Sequence, residues 1–310
     1  MIKLRIHIVL VIILLISVKL CCQDNPDLNL DSKPEGNKVL LHSGSLNTSI
    51  ANHDITIEHY FQYIDSIVKK YDSLTPYKLT EHVLVRANPW IINNLKNTDY
   101  YKMIAKGSFV YDQKEMVVLP KGTSMIIPNE YTAEKIIDSF NKTRIDINIP
   151  EYKLRIYEDT TELYVFTVRV GRNEEKYLEM SGRIEDLKTK TGEGYIVNHN
   201  RYPRYFNPVT NLEYFVTKRD DERVTKLPQI PFIETEINGK RYGQLIHPTT
   251  NPETLGKAYS NGCIGTREED AWVIYYYAPI NTKITIRYNL KIKDINGKEI
   301  TLKDIYHYSE

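Results

Sequence analysis

The spacing of apolar residues changes along the chain. Ile57, Tyr60, Phe61, Ile64, Ile67, Val68 and Tyr71 recur at intervals of three and four, which predicts one buried face of a helix starting near Thr56. Asp54 or Thr56 is placed to cap it, and Pro76 ends the pattern. A second helix is predicted over about Thr80 to Ala87, closing near Asn88-Pro89. Val117–Leu119 and Met125–Ile127 read as short strands flanking a Pro120–Thr123 turn, and Thr132 to Phe140 as a linker helix.

From Arg144 the period falls to two. Ile145, Ile147 and Ile149 alternate with polar residues, Leu154 and Ile156 continue the alternation, and Leu163 to Val170 is a further strand ending at Gly171. Tyr195 to Val197 is another. Glu236 to Arg241 predicts a hairpin around Asn238-Gly239, whose second strand leads into His247. Glu268 to Tyr277 reads as a short helix, Thr282 to Tyr288 as a strand, and Leu290 to Asp304 as an appended hairpin around Asn296-Gly297. Residues 199–231 carry Tyr202, Pro203, Tyr205, Phe206, Pro208, Tyr214, Pro228 and Pro231, which is too irregular for one element. Long loops of this kind are commonly functional, and a lid over a site is expected.

The pattern predicts a mostly β fold behind a small α/β region. The expected divisions are a targeting segment (1–22), a tether (23–55), the α/β module (56–141), a catalytic domain (142–290) and a C-terminal extension (291–310). In the targeting segment, Lys3 and Arg5 precede an apolar run of 11 residues, Ile8 to Val18. That is too short to span a bilayer and fits the apolar region of an export signal. Cys21 and Cys22 follow, as in a lipoprotein signal acylated on cysteine, although Lys19 and Leu20 stand where small residues are expected. Plain secretion and an uncleaved anchor are the alternatives. All three export the chain, with membrane contact only through this N-terminal anchor. Residues 23–54 are polar, with few large apolar side chains, and predict a flexible tether.

With 41 basic and 40 acidic residues, the chain has no bulk positive field for nucleic acid. It has no glycine-rich phosphate loop, no cysteine or histidine spacing for a metal and no internal repeat, so neither cofactor nor metal is expected.

Candidate chemistry concentrates between His247 and Thr266. Cys263, the one cysteine outside the N-terminus, lies 16 positions after His247. A thiolate is a strong nucleophile and an imidazole can supply its base, so the pair suffices for acyl transfer through a thioester. Gly262 before the nucleophile lets backbone N–H groups approach a reacting carbonyl. An exported chain holds Cys263 in an oxidising compartment with no obvious partner, and retention of a free thiol there points to reactivity.

The order His247, then Ser260-Asn261-Gly262-Cys263, resembles the active-site signature of the YkuD-type L,D-transpeptidases. Tyr242-Gly243 before the His, Leu255-Gly256 before the Ser, and Thr189-Lys190-Thr191-Gly192, similar to a Thr-Pro-Thr-Gly turn, add to the resemblance, which covers about half of the chain. Two positions depart from it. Asn261 stands where His is frequent, and Gly265 where Arg or Asn is frequent, with Arg267 two residues on as a substitute charge. A weaker resemblance to a LysM sugar-binding module covers about 55 residues of the N-terminal region.

The resemblance implies a β-sandwich acting on peptidoglycan stem peptides and glycan. It implies Cys263 as nucleophile and His247 as base, oriented by the Pro248 carbonyl, with the N–H groups of Asn261, Gly262 and Cys263 as oxyanion hole. Tyr242, Gly243, Ser260 and Arg267 are the expected substrate contacts. The expected reaction expels D-Ala and forms a 3→3 cross-link. An L,D-carboxypeptidase using water, and a wall-binding protein without activity, are the alternatives.

Overall fold

The structure, a computed structural model, describes residues 47–294 and 296–308. The expected export segment with Cys21 and Cys22, and residues 23–46 of the expected tether, lie outside the described residues, whereas its last part holds the strand Thr48–Ile50.

The period-two region forms one eight-stranded mixed sheet. In chain order its strands are β1 (Thr143–Asn148), β2 (Lys153–Glu158), β3 (Thr161–Thr167), β4 (Gly192–Asn200), β5 (Phe232–Ile237), β6 (Leu245–Pro248), β7 (Ile264–Thr266) and β8 (Lys283–Arg287). Their spatial order is β7-β6-β5-β4-β8-β1-β2-β3. The β8–β1 and β6–β7 pairs are parallel and the others antiparallel. The two ends of the sheet approach each other. Just past β3, Arg169 pairs with Gly265 of β7, the N–H of each bonding to the carbonyl of the other at 2.9 and 3.0 Å. The sheet is therefore nearly closed, and its alternating Ile145, Ile147, Leu154, Ile156, Ile284 and Ile286 side chains are shut off from solvent. The turn joining β5 to the following segment has Asn238 and Gly239 at positive φ, as an Asn-Gly hairpin requires.

The helices are α1 (Ile57–Tyr71), α2 (Glu81–Arg86), α3 (Trp90–Lys96), α4 (Tyr100–Ala105), α5 (Glu130–Lys142) and α6 (Glu268–Tyr277). Helix α6 is apolar on most of its circumference, and Ala271 to Tyr276 are all buried. It contacts both α2 and α3 and the β6 strand, the position in which a helix has no solvent face to keep polar. Tyr60 of α1 and Tyr276 of α6 share a hydroxyl hydrogen bond of 2.6 Å, and Trp272 of α6 packs against Tyr60 and Phe61. The N-terminal helices and the sheet thus contribute to one hydrophobic cluster.

Several local details differ from expectation. Thr56 sits at the start of α1 without a side-chain cap, and the Asp54 carboxylate accepts the Lys121 N–H at 2.7 Å instead of capping the helix. Val117–Leu119 and Ser124–Ile126 do not pair with each other; they pair with Ile55–Thr56 and Thr48–Ile50. Helices α3 and α4 are too short for a periodic signal. The start of α4 is set by Asp99, whose carboxylate accepts the Tyr101 and Lys102 N–H groups. The irregular 199–231 segment contains a small hairpin, Val216–Lys218 with Val224–Lys226.

Candidate active site

Strands β6 and β7 lie side by side and parallel, with His247 directly opposite Gly265. Opposed residues on neighbouring strands point to the same face. Cys263 immediately precedes β7, two positions before Gly265. The topology therefore sets the strand of His247 beside the strand that Cys263 leads into, although the two residues are 16 positions apart in sequence. The turn into β7 depends on Gly262, whose φ of 105° is closed to residues with a side chain.

The His247 Nδ1 lies 2.9 Å from the Pro248 carbonyl oxygen. A carbonyl only accepts, so Nδ1 carries the proton and Nε2 keeps its lone pair. Burial, helped by the positive charge of Arg169, lowers the imidazole from its ordinary 6.5 to about 4. The ring is also flanked by Phe232, 5.0 Å away between centroids. The Cys263 thiol is half-buried and free of any disulfide. It donates to the Gly243 carbonyl at 3.9 Å. Burial raises its pKa, while the Leu245 N–H and the Arg169 charge pull it back. At neutral pH the resting pair is a thiol beside a neutral imidazole.

The loop that carries Cys263 is fixed from three sides. Ser260 Oγ donates to the Cys263 carbonyl at 2.5 Å. Thr189 Oγ1 donates to the Gly262 carbonyl at 2.9 Å and accepts the Gly171 N–H at 2.8 Å. The Tyr306 hydroxyl in turn donates to the Gly171 carbonyl at 2.7 Å and accepts the Thr189 N–H at 3.1 Å. Arg172 Nη2 donates to the Asn261 side-chain oxygen, and the Arg172 N–H bonds to the Ser260 carbonyl at 3.1 Å. Among the described residues the N–H groups of Asn261, Gly262 and Cys263 find no protein acceptor. Three unpaired donors beside a thiol form a place for an oxyanion.

The structure thus groups His247, Pro248, Gly243, Ser260, Asn261, Gly262 and Cys263. Tyr242 is exposed next to Gly243. Arg267 is an exposed residue at the start of α6, where its charge acts on Asp270. The cation that influences both Cys263 and His247 is Arg169. Sequence reading passed over Arg169, Arg172 and Tyr306. The two arginines sit in the strand pattern before and after Gly171 without a motif of their own, and Tyr306 belongs to the C-terminal extension. The 199–231 segment reaches the site through Tyr205, whose ring packs on Phe232 at 5.3 Å. No group of three or more His, Cys, Asp or Glu able to hold a metal ion occurs among the described residues.

Residues 142–286 match the sequence model of the YkuD family, described as the L,D-transpeptidase catalytic domain. Comparison with curated proteins gives no match. Among solved structures, an L,D-transpeptidase from Mycobacterium smegmatis is similar at 12% identity over 47% of this chain and 58% of that chain, with a TM-score of 0.32. An L,D-transpeptidase from Mycobacterium tuberculosis H37Rv is similar at 16% identity over 47% of this chain and 57% of that chain, with a TM-score of 0.30. For one from Xylanimonas cellulosilytica the values are 12% identity, 77% and 98% coverage, and a TM-score of 0.35. The matched part of the chain spans less than two thirds of each mycobacterial chain.

Proposed function

Residues 142–286 belong to the YkuD family of L,D-transpeptidase catalytic domains, and on that premise we propose that the chain transfers acyl groups between peptidoglycan stem peptides through a thioester on Cys263. The observation that carries this reading is the parallel pairing of the His247 strand with the strand that Cys263 immediately precedes, beside three N–H groups without a protein acceptor among the described residues.

In this mechanism His247 Nε2 takes the thiol proton as Sγ attacks the carbonyl of the third, diamino-acid residue of a stem tetrapeptide. The carbonyl oxygen becomes an oxyanion held by the N–H groups of Asn261, Gly262 and Cys263. The tetrahedral intermediate collapses, the imidazolium gives its proton to the leaving nitrogen, and D-Ala departs. A side-chain amine of a second stem then attacks the thioester, His247 takes the amine proton and returns it to sulfur, and a 3→3 cross-link results. Ser260 acts by holding the loop through the Cys263 carbonyl, and Gly243 lines the thiol side of the site.

The expected location is the cell envelope, reached through the N-terminal export segment and held there by acylation of Cys21 or Cys22. The test of function is incubation of the purified protein with a tetrapeptide muropeptide followed by mass spectrometry. Cross-linked dimer supports transpeptidation. Tripeptide alone would replace it with hydrolysis, and unchanged substrate with a wall-binding role.

A further inference from the structure

The segment Val168–Arg172 runs along the nucleophile loop and is laced to it by backbone bonds. The Gly256 N–H donates to the Val168 carbonyl at 3.0 Å, the Val170 N–H to Lys257 at 3.1 Å and the Arg172 N–H to Ser260 at 3.1 Å. Within this lacing Arg169 faces Gly265, and the two backbones exchange both hydrogen bonds. Side chains of such an opposed pair lie on one face. A Cβ on Gly265 would stand 2.5 Å from Arg169 Nε and 2.6 Å from its Cγ. The arginine stem therefore fills the space that a side chain at 265 would need. That space is opposite His247 and two positions after Cys263.

The guanidinium is poorly matched for a structural role. Its Nη1 donates to Thr254 Oγ1 at a long 3.3 Å, and its Nε is buried with no partner. Of the ionisable groups whose charge would act on it, Cys263 comes first, ahead of Tyr214, Tyr259 and Asp220. A cation withdrawn from water without a close carboxylate is unfavourable unless its charge is used. Here its charge acts on the two groups between which a proton must move.

We propose that Arg169, seated in the space left by Gly265, is a positioning residue that sets the proton balance between Cys263 and His247. A fixed positive charge favours the thiolate over the thiol and the neutral imidazole over the imidazolium. The first effect makes the nucleophile available. The second keeps His247 unprotonated at rest, and makes the imidazolium formed during attack a stronger acid toward the leaving nitrogen. The inference rests on the reading of Cys263 and His247 as nucleophile and base, but its consequences are measurable without substrate.

The test uses the full chain and four proteins: unmodified, Arg169→Met, Arg169→Lys and Gly265→Ala. The readouts are the pH dependence of Cys263 alkylation by iodoacetamide and the NMR titration of the His247 ring. Removing the charge should move both midpoints upward, the imidazole toward its ordinary value, and should slow alkylation at neutral pH by about tenfold for each unit by which the thiol midpoint rises. Arg169→Lys keeps the charge and should titrate as the unmodified protein does. Gly265→Ala keeps the arginine but displaces it, and should titrate as Arg169→Met does. If Arg169→Met fails to fold, Gly265→Ala decides in the same terms. Folded Arg169→Met or Gly265→Ala proteins with unchanged midpoints would overturn the proposal, as would movement of only one of the two groups. Normal shifts in a protein inert toward muropeptides would count against the proposed reaction and leave the role of Arg169 standing.

Discussion

The Arg219 guanidinium meets the Glu268 carboxylate at 2.5 Å with both side chains closed off from solvent. Arg219 belongs to the 199–231 segment, and Glu268 opens α6 just after β7. Gln113 and Thr225 complete the arginine, and the Tyr100 N–H and Gln113 amide complete the carboxylate. The segment is thereby pinned at its centre to the body of the protein rather than resting on it as a free flap. Removing one partner of a buried, fully bonded pair leaves an uncompensated charge, which typically costs about 3–5 kcal/mol. Arg219→Met should destabilise by about that amount in urea unfolding. Arg219→Met combined with Glu268→Leu should recover part of the loss, since no charge remains buried. Equal stability of the single variant and the parent would mean that the pair is solvated in solution.

Cys263→Ser should abolish transfer while leaving the unfolding midpoint near the parent value, because a hydroxyl beside one imidazole lacks the acidity of a thiol. His247→Ala should slow transfer by a factor on the order of 10²–10⁴, the usual scale of acid–base catalysis. Steady-state assays with tetrapeptide donor check both, and a Ser variant of comparable rate would remove Cys263 from the mechanism.

The pH dependence follows from the direction of the two shifts. The imidazole of His247 is held at about 4, so its base form persists well below the ordinary histidine range. The thiol of Cys263 is pushed up from its ordinary 9.0, so the neutral pair persists above neutrality. The acid limb of kcat/KM should therefore fall near pH 4 rather than near 6.5, with a plateau through pH 7. An acid limb near pH 6.5, in a protein shown to remain folded there, would mean that His247 is solvated in the free enzyme.

Gly262→Ala tests the backbone rather than the side chains. The nearest atom to an added Cβ is the Leu187 carbonyl oxygen at 3.7 Å, so there is space, but φ is 105°. Strain of this kind is worth about 1–3 kcal/mol and is relieved by turning the peptide. Turning it would redirect the unpaired N–H groups on either side of Gly262. Activity should drop far more than stability, and the comparison of kcat with the thermal midpoint measures this. A full kcat in the variant would separate these N–H groups from the oxyanion.

Tyr306→Phe removes one hydroxyl that both donates to Gly171 and accepts from Thr189. Two buried backbone groups lose their partner, at about 1–3 kcal/mol each where water cannot replace it. The expected result is a lower thermal midpoint together with a slower reaction, because Thr189 also holds the Gly262 carbonyl. Unchanged values in both would mean that the C-terminal segment does not support the loop.

Much of this molecule is legible in the chain because it depends on local periodicity. The period of two from Arg144, the Asn238-Gly239 turn and the run of Glu268 to Tyr277 each describe a neighbour-to-neighbour pattern, and each element formed close to its expected bounds. His247 and Cys263 stand out as candidates for a different reason. A thiol, a glycine before it and an imidazole at a fixed distance upstream are chemistry carried in residue types, and resemblance supplied their roles.

What the tertiary structure alone decided is which residues surround that pair. Gly265 reads in sequence as a missing side chain, and Arg267 as the nearest replacement charge. The near-closure of the sheet instead brings Arg169 from beyond β3 onto Gly265. The same closure sets Arg172 against Asn261, and the C-terminal segment delivers Tyr306 beneath Thr189. These contacts join residues up to 117 positions apart, and no local spacing encodes them. They follow from strand order and from how the sheet curves, which are set by the packing of the whole core.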